Sequence, residues 1–100
     1  MPDHPLSTMK KLDPEFMKHL EETDALVYAD GALPRKVTRL MAMAFAAAAG
    51  AAGGVRARAE QAMQAGATKE EIAETLRVAF LLSGVGSLYA ASFGLKDILG

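Results

Sequence analysis

Residues 36–66 read KVTRLMAMAFAAAAGAAGGVRARAEQAMQAG, and the fold turns on this stretch. Alanine, the best helix former, dominates both flanks. Between them lies a run of small residues, Gly50, Ala51, Ala52, Gly53 and Gly54. Glycine tolerates the positive φ at which one helix ends and the next leaves at an angle, so the pattern predicts helix, hinge, helix. Pro34 opens the first helix, and Leu40, Met41, Ala44, Phe45 and Ala48 fall on one apolar face. The second starts at about Val55, puts Val55, Ala59, Ala62 and Met63 on one side, and stops at Gly66. Side chains this small let neighbouring backbones approach closely, which predicts a central antiparallel pair.

The flanking sequence adds helices and no strand. Residues 1–12 begin MPDHP, which reads as extended chain. Asp13-Pro14-Glu15 is a helix start: the aspartate caps free N–H groups, proline fits the first turn, and glutamate favours the positive end of the dipole. Phe16, Leu20 and Val27, with Met17 and Leu26 nearby, give that helix a broad apolar side ending near Ala29. Thr68 and Glu71 form a capping box for a helix carrying Ile72, Leu76, Ala79 and Phe80. Gly84 and Gly86 make a turn, and a last helix from about Ser87 carries Leu88, Tyr89 and Phe93. The expectation is an all-α domain spanning residues 1–100, with about five helices around the central pair.

Composition narrows the function classes. The net charge of −1 supplies no field for nucleic acid or anionic membrane, and the basic residues are scattered among acidic ones. Cysteine is absent, which excludes disulfides, thiol catalysis and thiolate metal sites. Residues 78–95, VAFLLSGVGSLYAASFGL, carry no charge and have the minimum length for a spanning helix. Three glycines and three serines dilute the run, so it reads as the buried core of a homo-oligomer, not a membrane span. With no secretory leader at the start, the expected compartment is the cytoplasm.

Residues 33–91 resemble the carboxymuconolactone decarboxylase and AhpD-like (alkylhydroperoxidase) family, most specifically through AMQAGATKEEIAE at 62–74. The resemblance implies an AhpD-like helical fold assembled as trimers or hexamers, with the site near subunit contacts. It also implies a thiol peroxidase (peroxiredoxin-type) centre: a Cys-x-x-Cys pair at the hinge, a His four residues beyond, and a Glu on the preceding helix. Those positions fall on Ala51, Gly54, Arg58 and Arg39, and all four are substituted. The decarboxylase branch keeps the His and the acid, which here are Arg58 and Arg39. Guanidinium is a poor general base, although it can stabilise a developing anion. No catalytic residue is therefore assigned, and the expected protein is a redox-inactive binding or structural oligomer. The alternative is a cysteine-independent decarboxylase or lactone-processing enzyme acting on a carboxylate.

The replacements make the site more cationic by roughly two to three charges. In the family geometry Arg39 and Arg58 would face a common cavity near the helix start at residues 51–54, an arrangement suited to a small carboxylate or phosphate. The competing reading pairs each arginine with Glu60, Glu71 or Glu74, or leaves it in solvent. No cofactor or metal is expected, since His4 and His19 are far apart in sequence. Ser83, Ser87 and Ser92 have no evident base, Tyr28 and Tyr89 read as core-edge residues with a bonded hydroxyl, and the six methionines read as gap fillers.

Overall fold

The computed structural model describes residues 6–100, in which six helices and no strand occur. Helix α1 (Ser7–Leu12) was not anticipated; Lys10 and Lys11 sit in its last turn, where cations suit the helix dipole. The expected helix from Asp13 is α2 (Pro14–Val27), and the Asp13 carboxylate accepts the Phe16 N–H at 3.2 Å. The remaining elements are α3 (Arg35–Ala48), α4 (Ala52–Gln64), α5 (Lys69–Ser83) and α6 (Gly86–Leu95). No described helix is long and apolar enough to cross a membrane; the uncharged run is broken where α5 ends and α6 begins.

The hinge is shorter than the glycines suggest. Of its three, only Gly50 takes a positive φ, 74°. It closes α3 with paired hydrogen bonds, Gly50 N–H to the Ala47 carbonyl at 3.0 Å and Ala51 N–H to the Ala46 carbonyl at 2.9 Å. Gly66 closes α4 in the same way at a φ of 102°. Gly53 and Gly54 lie inside the first turn of α4, which begins at Ala52 and not near Val55. At Gly54 the reason is close approach, because a Cβ there would stand 3.2 Å from Ala46 Cβ. Ala46 thus faces Gly54, and lower down Arg39 faces Gln61. Both pairs are centred on residue 50, as an antiparallel hairpin turning at Gly50 requires.

Helices α3 and α4 form the middle of the molecule, with α5 packed on α3 and α6 on all three. The core takes Leu40, Met43 and Ala47 from α3, Val55, Ala59 and Ala62 from α4, and Ile72, Leu76 and Ala79 from α5. On α3 this is not the expected face, since Met41 and Phe45 are exposed. Helix α6 likewise turns Ser87, Ala90, Ala91 and Gly94 inward, and leaves Leu88, Tyr89 and Phe93 outside. Phe80 on α5 is exposed as well. Helices α1 and α2 pack chiefly on one another. Met17, the buried side chain of α2, lies outside the main core cluster.

The entry to α5 is tied to the start of α3. Thr68 N–H donates to Glu71 at 2.8 Å, Glu71 N–H donates to the Thr68 hydroxyl at 3.1 Å, and Lys36 Nζ lies 2.9 Å from the same carboxylate. The Lys36 hydrogen bond, then the Thr68 N–H, holds Glu71 below the ordinary value of 4.5, against an opposing effect of partial desolvation. A depressed carboxylate pKa contributes stability that is present above 4.5 and lost as pH falls through the folded value. Glu71→Gln should therefore melt below wild type at pH 7, and the gap should narrow as pH drops below 4.5. A gap of constant size from pH 7 to pH 3 would show that the Glu71 charge contributes nothing.

Candidate functional site

Arg39 lies on the α4-facing side of α3, while Arg58 and Gln61 are one turn apart on α4. The hairpin register brings all three together. Arg39 Nη1 donates to Gln61 Oε1 at 2.9 Å, and Arg58 Nη1 donates to the same oxygen at 3.1 Å. Tyr28, just past the end of α2, completes the group. Its ring lies under the Arg39 guanidinium, 3.7 Å from Cζ to the ring centroid, with Arg58 Cζ at 5.7 Å. Both lie within cation–π range, a contact worth about 0.5–1 kcal/mol at an exposed site.

Two of the acids named as alternative partners are engaged elsewhere. Glu60 binds Arg56 Nε at 3.1 Å, and Glu71 binds Lys36. Among the described residues neither Arg39 nor Arg58 forms an ion pair. Two permanent cations therefore converge on one neutral amide oxygen. An amide offers that oxygen's partial charge but no neutralisation, whereas a carboxylate or phosphate would offer both. All four side chains are half-buried, so solvent screening is reduced but not removed.

The meeting point is displaced from the hinge. Gln61 stands about two turns, ~10 Å of helix axis, beyond Gly54. Ala51 and Gly54 are adjacent at the start of α4, with 3.5 Å between the Ala51 Cβ and a Cβ placed on Gly54. Neither carries a polar side chain, and the α4 N-terminus has no side-chain cap and no acidic residue in its first turn. The structure thus brings Arg39 to Arg58 and Ala51 to Gly54, as two separate clusters along one hairpin.

Sequence reasoning missed Gln61 and the use made of Tyr28. A hairpin centred on Gly50 pairs position 39 with 61, so the register held the signal for Gln61. For Tyr28 the expected group was the hydroxyl, yet the ring face is what Arg39 uses. The weaker candidates have structural explanations. Ser83 donates to the Ala79 carbonyl at 2.6 Å and Ser87 to the Gly84 carbonyl at 2.7 Å. His19 is an exposed neighbour of Glu22 at 3.7 Å, and His4 lies outside the described residues. No metal-binding cluster occurs among the described residues.

Comparison with known proteins places the fold. The model of the carboxymuconolactone decarboxylase family matches residues 14–97. An uncharacterized protein of Methanocaldococcus jannaschii is 26% identical over 100 residues, covering 100% of this chain and 94% of its own length. The apo crystal structure of a carboxymuconolactone decarboxylase family protein from Legionella pneumophila superposes with a TM-score of 0.82 at 33% identity, covering 91% of this chain and 81% of that one.

Proposed function

Because the chain belongs to the carboxymuconolactone decarboxylase family, yet holds Ala51, Gly54, Arg58 and Arg39 where the redox centre is expected, we propose that it is a redox-inactive member. In this reading it binds a small carboxylate or phosphate between Arg39 and Arg58 and works as a homo-oligomer. One observation carries the anion site: two guanidinium groups share Gln61 Oε1 while no described carboxylate neutralises either. An incoming anion would take the place of that amide oxygen, or bind beside it, and receive donors from both forks. Tyr28 holds Arg39 flat and limits the rotamer entropy lost on binding.

Titration calorimetry with inorganic phosphate and with acetate tests the site. Wild type should bind one of them at millimolar concentration or tighter. Arg39→Ala should lose at least about tenfold, the worth of one hydrogen bond to a charged group, while its helical circular dichroism stays unchanged. No heat from either anion, or an isotherm unaltered in Arg39→Ala, would refute anion binding. Redox inactivity has its own assay. Hydroperoxide consumption with a thiol reductant should match the protein-free control, and turnover above it would overturn that part of the reading.

A further inference from the structure

Past α6 the chain folds back on the helix it has just left. The Leu95 carbonyl accepts the N–H groups of Ile98, Leu99 and Gly100 at 3.1, 2.7 and 3.2 Å. Ile98 and Leu99 are thereby packed against the core. The returning tail joins α5 and α6 in the wall of a groove of about 510 Å³. Four leucines line it: Leu76 from α5, Leu88 and Leu95 from α6, and Leu99 from the tail. The size lies inside the roughly 300–1,000 Å³ of small-molecule sites, which are mostly apolar with a few polar groups to fix orientation.

Two polar side chains complete the lining, Ser92 and Lys96. They stand one turn apart, in line with Leu88. Neither forms a hydrogen bond or an ion pair with another described residue. That sets Ser92 apart from Thr38, Thr75, Ser83 and Ser87, whose hydroxyls each donate to a backbone carbonyl three or four residues back. Lys96 has lost its two nearest partners. The tail N–H groups fill the Leu95 carbonyl, and the neighbouring Asp97 carboxylate lies 3.6 Å from Arg56 Nη1 on α4. A positive charge and a hydroxyl donor are therefore left open beside an apolar trough.

We propose that this groove binds an aliphatic carboxylate, its head group on Ser92 and Lys96 and its alkyl chain along the leucines. Covering the leucines supplies the hydrophobic drive, and the head group fixes the direction of the chain. A carboxylate matches one ammonium with one charge and accepts from both donors. The groove shares no lining residue with the Arg39–Arg58 cluster, and binding there needs neither that site nor self-association.

Titration calorimetry in an Arg39→Ala background tests the groove without a competing anion site. Octanoate, kept below its micelle concentration, should bind once per chain at millimolar concentration or tighter, and acetate should give no heat. Octylammonium should bind about fivefold more weakly than octanoate, since it brings a like charge to Lys96. Adding Lys96→Gln should weaken octanoate about fivefold and remove the preference for the anion. Leu88→Asp, at a side chain already 38% exposed, should abolish binding while helical circular dichroism stays unchanged. No octanoate heat from folded Arg39→Ala protein would overturn the proposal, as would acetate binding equal to octanoate. Equal binding of octanoate and octylammonium, or octanoate binding unaltered by Lys96→Gln, would refute the head-group contact. An assembly that binds no octanoate and that Leu88→Asp reduces to the 10.5 kDa monomer by light scattering would give the groove to a second copy instead.

Discussion

Gly94→Ala is expected to lower the melting temperature by roughly 10 °C, a loss of about 2 kcal/mol in a domain of this size. A Cβ at Gly94 would stand 2.4 Å from the Ala52 carbonyl oxygen, 3.1 Å from Val55 Cβ and 3.2 Å from the Arg56 N. The first and last of these are backbone atoms of α4, so no rotamer change relieves the clash, and α6 has to move off. That movement is shared by Ser87, Ala90 and Ala91, which face the core with Gly94 along the same side of α6. An opposing gain exists, because alanine is favoured over glycine in a helix by about 1 kcal/mol. The clash exceeds it. Gly53→Ala supplies the control: nothing lies within 4 Å of a Cβ there and φ is not positive, so only the favourable effect remains. Thermal melts of the two variants should move in opposite directions. A Gly94→Ala protein as stable as Gly53→Ala would mean that α6 does not ride on the first turn of α4.

The contrast between these glycines shows what sequence can and cannot reveal. Local signals were legible because their causes are local. Asp13 caps α2, Thr68 and Glu71 cap α5, and Gly50 and Gly66 end their helices, each through bonds to residues a few positions away. The inward face was not legible where a stretch of helix is apolar on every side, as α3 is from Leu40 onward. Helix α3 offers Met41, Met43, Phe45 and Ala47 alike, and packing against α4, α5 and α6 decides that Met43 and Ala47 enter the core. On α6 the larger residues looked like the core, yet close approach of two backbones admits only small ones. The same division runs through the site. Arg39 and Arg58 were marked by resemblance, whereas Gln61 and Tyr28 join them only through the hairpin register and a turn that no local pattern encodes.

The double variant Ala51→Cys/Gly54→Cys is expected to form an intrachain disulfide, turning a chain without sulfur nucleophiles into one with a reducible bond. The 3.5 Å between the two Cβ positions is within the roughly 3.5–4.5 Å span that disulfides occupy. Position 51 caps α4, whose first turn has no acidic residue, and an unneutralised helix N-terminus lowers a thiol pKa. Arg58, one turn further on, adds a permanent positive charge to the same helix. The main obstacle is the 3.2 Å contact of the new Cβ with Ala46, which needs a few tenths of an ångström from α3. The gain in helix propensity at position 54 offsets part of that cost. Thiol titration of the unfolded, oxidised variant should find almost no free thiol, and two per chain after reduction. Two free thiols persisting under oxidant would show that the start of α4 does not hold the spacing a disulfide needs. If the bond forms, hydroperoxide turnover can be measured with and without a restored base, Arg58→His. Activity confined to the triple variant would show that the sulfur pair needs the imidazole, and activity already in the double variant would show that the pair suffices.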